Sequence, residues 1–180
     1  MASIIGVENL QHTNGTTAAT IAADGKFTAP KLVLPTGSVL QVVYADTGTS
    51  SNVTFNNSGW TYIGLTALIT PSSTSSKILV DFTPQHRMQV TSGSDVGTGW
   101  RILRNGSSVE ETASTYHSYF YNNGGFIDLR GTDRVSFLDT PSSTSQLTYT
   151  FEGRKYNSAG TSVANNEGNK SRVILMEIAG

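Results

Sequence analysis

Histidine is the residue type in this chain that is best suited to catalysis or metal binding, but the spacing of the histidines supports neither role. His12, His86 and His117 lie in three separate segments, and none has a second histidine or a carboxylate at the short spacing that zinc sites use. The sequence contains no cysteine, which excludes thiolate ligands and disulfides. We therefore expect neither a metal site nor a cofactor.

Serines and carboxylates give no catalytic pattern either. The G-x-S-x-G motif of serine hydrolases is absent from the sequence. Glu110 and Glu111 are adjacent, so on a strand they point to opposite faces and cannot flank one glycosidic bond. Asp128, Asp133 and Asp139 are dispersed in turn-like settings and are expected to be solvated surface acids. We expect a protein that is not an enzyme, and a glycan depolymerase is a remote alternative.

An aromatic stretch near residue 119 is the strongest candidate for a binding surface. On a strand, His117, Tyr119 and Tyr121 share one face, and Tyr116 and Phe120 take the other. Aromatic rings with polar tips supply contact area and hydrogen bonds at low entropic cost. The face is either a platform for a sugar or protein receptor, or a subunit interface or ordinary sheet packing, and the second interpretation is preferred.

Two tryptophans complete the set of receptor or interface candidates. Trp60 and Trp100 each follow a glycine near the start of a predicted strand. Core packing or an interface is preferred over ligand stacking for both.

The elements that must position these residues are strands. Apolar and β-branched runs separated by turn clusters predict an all-β fold, a jelly-roll-like antiparallel β-sandwich. Asn105-Gly106 is the best hairpin signal, because both residue types accept the positive φ angles of a type I′ turn. The predicted strands are Val39–Tyr44, Thr61–Ile69, Lys77–Phe82, Gly99–Leu103, Tyr116–Tyr121, Arg134–Leu138, Leu147–Phe151 and Arg172–Ile178.

The composition of the chain argues against two classes of partner, nucleic acid and the membrane interior. With 12 Lys and Arg against 13 Asp and Glu, the chain has no basic surplus for binding nucleic acid. No apolar run approaches the roughly 20 residues of a membrane span, so membrane insertion is not expected. The N-terminal residues lack the pattern of a signal peptide.

Residues 1–37 form a distinct segment of short, strand-like apolar clusters. None of these clusters is long enough to bury a face within its own chain. Asp24-Gly25 predicts a tight turn or hairpin between Ile21 and Phe27. We expect an extended attachment or trimerisation arm, followed by a head domain over residues 38–180. The apolar residues of the arm are Ile4, Ile5, Val7, Leu10, Ile21, Phe27, Leu32 and Leu34.

Several stretches resemble structural proteins of tailed-bacteriophage virions. The opening Ala2–Leu10, the segment Asp24–Pro30 and the junction Leu34–Val42 look like the N-terminal part of such proteins and the start of their β-sandwich. Leu68–Val80 and Ile174–Ile178 are similar to the same group. The resemblance implies a homotrimer, a β-sandwich head and a location in the virion, and it carries over no catalytic residues.

Two structural roles follow from that resemblance. The preferred role is a tail-fibre-type protein, attached by its arm, whose head contacts a host surface glycan. The alternative is a capsid-decorating protein whose arm clamps neighbouring capsid subunits. In both roles the expected partners are further copies of the chain and other virion proteins.

Overall fold

The computed structural model describes residues 8–11, 15, 17–29, 34–49, 51–91, 93–112 and 117–180. The chain divides into two units, Met1–Pro35 and Thr36–Gly180. A small three-stranded sheet lies in the first unit, and a β-sandwich forms the second.

The sheet of the first unit is antiparallel, in the order β1-β2-β3. Its strands are β1 (Asn9–Gln11), β2 (Thr17–Ile21) and β3 (Phe27–Thr28). The predicted Asp24-Gly25 turn joins β2 to β3: Gly25 has a φ of 82°, and the Asp24 carboxylate accepts a 3.0 Å hydrogen bond from the Lys26 N–H. The hairpin prediction is confirmed.

Every regular element of the second unit, among its described residues, is a strand or one short 3-10 turn at Asn166–Gly168. The strands are β4 (Val39–Asp46), β5 (Val53–Thr54), β6 (Thr61–Ile69), β7 (Lys77–Thr83), β8 (Gln85–Val90), β9 (Ser94–Arg104), β10 (Ser107–Glu111), β11 (Ser118–Asn122), β12 (Ile127–Thr132), β13 (Val135–Asp139), β14 (Leu147–Lys155), β15 (Thr161–Ala164) and β16 (Arg172–Ile178).

Two main sheets build the sandwich. One has the order β13-β7-β16-β4, and the other has the order β10-β9-β14-β6, with β11 also paired to β9. All these pairings are antiparallel. If β11 is left out, successive strands of these two sheets lie in opposite sheets except for the β9–β10 hairpin, which is the connectivity of a jelly roll. The predicted fold class is confirmed.

A smaller sheet, β12-β8-β15-β5, continues from the sandwich. Strands β7 and β8 are consecutive except for Pro84, and β12 and β13 are separated by Asp133 and Arg134. The Asp133 N–H donates a 3.0 Å hydrogen bond to the Pro84 carbonyl, so the two interruptions face each other. Proline cannot donate to a ladder, which explains why the sheet changes at this point.

The main core lies between the inward faces of the two main sheets. Phe82, Trp100, Tyr149 and Phe151 are fully buried in it. Trp100 meets Phe55 and Phe82 edge to face, with ring centroids 5.5 and 5.7 Å apart, the arrangement that aromatic quadrupoles favour. A second, smaller core joins Met88, Val90 and Val96 with Phe120 packed against them.

Candidate functional site

Strand β11 carries the aromatic stretch, and its two faces are the ones that alternation predicted. Tyr119 and Tyr121 are 44% and 57% exposed, while Phe120 packs on the smaller core and Asn122 is buried. His117, one residue before the strand, is exposed. Tyr116 lies outside the described residues.

Internal contacts hold the Tyr119 ring. Its hydroxyl donates a 2.9 Å hydrogen bond to Asp95 Oδ2, and the Asn157 amide donates to the other oxygen of that carboxylate. The Tyr119 ring also meets the Tyr156 ring edge to face at 5.6 Å. These contacts hold the Tyr119 ring in place. Tyr121 lies on the same face of β11 and is the more exposed of the two tyrosines.

The two tryptophans have different environments. Trp100 is fully buried, and its Nε1 donates a 2.7 Å hydrogen bond to Asp133 Oδ2. Its candidacy as a receptor or interface residue is therefore wrong, because no partner reaches its ring; core packing is its role. Trp60 is half-buried, and the guanidinium carbon of Arg101 lies 4.9 Å from its ring centroid, within cation–π range.

A second candidate surface is the outer face of the β13-β7-β16-β4 sheet. Strand register places Val42, Met176, Leu79 and Leu138 side by side in one row across all four strands. Val42 is 58% exposed and Leu138 is 50% exposed. We call this line of side chains the apolar row.

Two further rows flank the apolar row. On one side Tyr44, Ile174 and Asp81 are neighbours across β4, β16 and β7, and on the other side Val39, Ile178 and Lys77 are neighbours. Arg134 binds Asp81 through two hydrogen bonds of 2.7 and 2.8 Å. We call the three rows together the apolar face.

The outer face of the opposite main sheet mixes polar side chains with Tyr62 and Leu68, which are 48% and 46% exposed. Leu68 lies beside Thr148, and Thr66 lies beside Thr150. Nearby, Arg101 forms an ion pair with Glu152. Both outer faces therefore leave apolar side chains in water, and the row that crosses all four strands of its sheet lies on the β13-β7-β16-β4 face.

Sequence reasoning missed the apolar face, although a signal for it was present. Strand β6 reads TYIGLTALI, with its larger apolar residues mainly on alternate positions, as expected for a strand buried on one face. Strand β16 reads RVILMEI and β7 reads KILVDFT, both with continuous apolar runs. Such runs indicate a strand that requires cover on both faces.

A buried polar cluster brings together residues that could suggest catalysis. Ser118 donates a hydrogen bond to Asp133 Oδ1, and His86 Nδ1 lies 3.1 Å from Asp133 Oδ2 without the alignment of a hydrogen bond. Both groups contact the aspartate, whereas a nucleophilic serine must contact the histidine that takes its proton. The cluster therefore joins the strands at the Pro84 interruption and lacks the geometry of a catalytic triad.

Two of the three aspartates expected on the surface are buried, and that expectation was wrong for them. The side chains of Asp133 and Asp139 are 9% and 8% exposed. Burial raises the pKa of the Asp133 carboxyl, but the contacts with His86, Ser118 and Trp100 outweigh burial and lower this pKa below its ordinary value. Asp139 accepts hydrogen bonds from Arg104 and from the Tyr149 hydroxyl.

Neither a candidate metal centre nor a membrane-spanning helix is found among the described residues. No group of three or more His, Asp or Glu side chains there could hold a metal ion. No helix there is long and apolar enough to span a membrane.

The described apolar residues of the arm are exposed. Leu10, Ile21, Phe27 and Leu34 are 49%, 38%, 58% and 42% exposed. The first unit has Ala19 as its buried apolar residue among those described. Ile4, Ile5, Val7 and Leu32 lie outside the described residues.

Comparison with known proteins gives a distant likeness. No family profile and no curated protein matches the chain. A crystal structure of an infectious bursal disease virus VP2 subviral particle superimposes with a TM-score of 0.45 and 16% identity, covering 84% of this chain and 36% of that one. For a structure of the Gt strain of the same virus, the TM-score is 0.40 and the identity 13%, over 91% of this chain and 47% of that one.

The chain thus spans between about a third and a half of the length of these two viral proteins. A likeness at this identity and TM-score assigns neither a family nor a function to it.

Proposed function

We propose that the chain is a non-enzymatic structural protein of a virus particle, assembled through its apolar face. The jelly roll is an architecture that capsid proteins use, but lectins and cupins use it as well, so the fold alone does not specify a role. The observation that carries the proposal is therefore the row of apolar side chains that crosses all four strands of the β13-β7-β16-β4 sheet on its outer face.

Exposed apolar side chains are unremarkable singly, whereas a contiguous patch of several hundred Å² marks an interaction site. Val39, Val42, Tyr44 and Leu138 are each exposed by half or more and lie on one face. Exposure of such a face to water is unfavourable, and covering it with a partner lowers the free energy. A protein built to assemble has this distribution.

The finer proposal is a homotrimeric, tail-fibre-type protein of a tailed bacteriophage, attached through residues 1–37. It is supported by the resemblance of the N-terminal segments and by the exposure of Leu10, Phe27 and Leu34 in the first unit. Residues 38–180 then form the head. Tyr119 and Tyr121 on β11 are its proposed contacts with a host glycan.

Quantitative mass spectrometry of purified particles tests this proposal. We expect the chain as a stoichiometric component, with a few trimers per particle for a fibre. Hundreds of copies would support the alternative role in capsid decoration. Absence of the chain from particles that are otherwise complete would refute a structural role in the virion.

The host contact has a separate test. Glycan binding by the assembled protein should fall in the double variant Tyr119→Ala and Tyr121→Ala. The matched control is Tyr62→Ala, which removes a ring that is 48% exposed on β6, at the far edge of the sheet that β11 joins. Binding that survives the double variant would remove β11 from the contact.

A further inference from the structure

The geometry points to a specific occupant of the apolar face. We infer that the same face of a second copy packs against it, around a two-fold axis that runs along the apolar row. This inference rests on the proposed assembly function and adds the partner and its orientation. Two features of the face support it: the residues on the axis and the charges beside the axis.

Residues on a two-fold axis meet their own counterparts, because an isologous interface uses the same surface on both subunits. An axis along the apolar row therefore places Leu79 against Leu79 of the partner subunit and Leu138 against Leu138 of the partner subunit. Val42 and Met176 match in the same way. Every contact along the axis is apolar.

Residues beside the axis exchange places in the partner. Lys77 and Asp81 lie two positions before and after Leu79 on β7, and both point outward with it. The axis brings Lys77 opposite Asp81 of the partner subunit, and Asp81 opposite Lys77 of the partner subunit. Each lysine would then join an existing ion pair, because Arg134 already binds Asp81 within each copy, and this contact between opposite charges favours the register.

The same exchange matches the apolar residues of the neighbouring strand. Ile174 and Ile178 lie two positions before and after Met176 on β16. The axis therefore places Ile174 opposite Ile178 of the partner subunit, and Ile178 opposite Ile174 of the partner subunit. The face is thus complementary to itself along β7 and along β16.

A two-fold axis parallel to the strands gives a poorer match. If it passed between the central strands β7 and β16, Lys77 would face Ile178 of the partner subunit. Asp81 would likewise face Ile174 of the partner subunit. Burying the Lys77 ammonium against an apolar side chain without a partner is costly, so this arrangement is disfavoured, although Asp81 keeps Arg134 as its partner in either arrangement.

The size of the face predicts a modest affinity. Four strands about 4.8 Å apart and some seven residues long at about 3.4 Å each give a face on the order of 500 Å². A stable interface of standard size buries about 800 Å² per partner. One pair of faces therefore associates weakly, and linking several heads in one trimer strengthens the contact through multivalency.

Sedimentation equilibrium of the full chain tests the occupant with a matched pair of leucines. Leu138→Asp puts a carboxylate on the proposed axis, and Leu68→Asp puts one on the outer face of the other sheet. The two leucines are 50% and 46% exposed, so neither change disturbs the core. We expect Leu138→Asp to weaken association of the heads about a hundredfold, since the two carboxylates would meet in an apolar contact.

Leu68→Asp should change the association less than about twofold. If the arm holds the chain as a trimer, Leu138→Asp should give isolated trimers, whereas Leu68→Asp should still give the larger assembly of trimers. Equal effects of the two variants would overturn the inference, because the face would then have no second copy on it.

Charge reversal tests the register. Lys77→Glu should weaken association, because it faces Asp81 of the partner subunit. The triple variant Lys77→Glu, Asp81→Lys and Arg134→Glu restores opposite charges both across the axis and within each copy, and should recover the association. A triple variant as weak as Lys77→Glu alone would contradict the register.

Crosslinking tests the axis, and the absence of native cysteine makes single labels possible. Packed sheets lie about 10 Å apart, too far for a disulfide but within reach of a short bismaleimide. Leu138→Cys should crosslink to its own counterpart, and Leu68→Cys should not.

Crosslinks that form in a mixture of Leu138→Cys and Val42→Cys, and not in Leu138→Cys alone, would overturn the proposed axis and support the parallel one. These outcomes are independent of mass spectrometry on particles. The inference can therefore fail while the proposed function stands.

Discussion

Replacing Glu177 by Gln should cost the jelly roll about 2–3 kcal/mol of unfolding free energy at neutral pH. Glu177 is 1% exposed at the edge of the core. One carboxylate oxygen accepts hydrogen bonds from the Ser72 N–H and from the hydroxyls of Ser72 and Ser76, at 2.6–2.7 Å. The other accepts a 2.6 Å bond from the Gln41 amide.

The magnitude follows from these four donors. A glutamine at this position keeps one accepting oxygen but turns an NH₂ group toward a donor. It also converts the remaining charge-assisted bonds into neutral ones, which are about half as strong. The lower cost of burying a neutral amide offsets part of the loss.

The loss should depend on pH in a defined direction. The donors lower the pKa of the Glu177 carboxyl in the folded chain, although burial opposes them by raising it. A group whose pKa falls on folding stabilises the fold fully above its unfolded pKa, about 4.3 for glutamate. That stabilisation is lost as the pH falls through the folded pKa.

Urea unfolding followed by tryptophan fluorescence measures the effect, because Trp100 is buried in the core. The protein concentration is held low and fixed so that association does not contribute. Glu111→Gln is the control: Glu111 is exposed on β10, and its replacement should change stability by less than about 0.5 kcal/mol. The reasoning is refuted if Glu177→Gln behaves like this control at pH 7, or if its deficit is as large at pH 3 as at pH 7.

Three more predictions concern stability, each measured by the same unfolding experiment. Asp133→Asn should cost about 2–3 kcal/mol, because it weakens the hydrogen bonds from Trp100 and Ser118 and removes the charge beside His86. Gly153→Ala should cost about 3 kcal/mol, because its Cβ would lie 2.1 Å from the buried Phe55 ring. Gly106→Val should cost about 1–2 kcal/mol, because Gly106 has a φ of 82° in the β9–β10 hairpin.

Their controls are equally specific. Gly124→Ala adds a Cβ with nothing within 4 Å and should be nearly neutral. Gly153→Ala matching that control would contradict the packing around Phe55. An Asp133→Asn variant as stable as the parent would contradict the role assigned to the buried cluster, and a neutral Gly106→Val would contradict the turn.

Sequence patterns predicted the sandwich where local signals were strong. The strands Thr61–Ile69 and Arg172–Ile178 have the predicted bounds. Asn105 and Gly106 have φ angles of 50° and 82°, and Ser107 pairs with Arg104, as the hairpin prediction requires. Local turn chemistry and β-type apolar runs decide these features, so one sequence is enough to find them.

Strands rich in polar residues escaped the same analysis. Strand β8 reads QHRMQV, with too few apolar residues to be recognised, and it forms because its neighbours β12 and β15 supply partners. Strands β12 and β15 were missed as well. His86 and Asp133 meet only because of this pairing across 47 positions of the sequence, which no local pattern encodes.

The candidate site was likewise predicted only in part from the sequence. Alternation alone separated Tyr119 and Tyr121 from Phe120 on β11. The apolar row was out of reach because its four members come from four strands, and only their register brings them together. Continuous apolar runs in β7 and β16 signal that a second face needs cover, but they do not identify the neighbouring strands.

Electron cryomicroscopy of purified particles, at a resolution that separates strands, tests the central claim most directly. We expect density for the jelly roll in the particle, with the outer face of β13-β7-β16-β4 covered by the same face of another copy. Density in which that face lies open to solvent would contradict the account, as would particles that lack this domain.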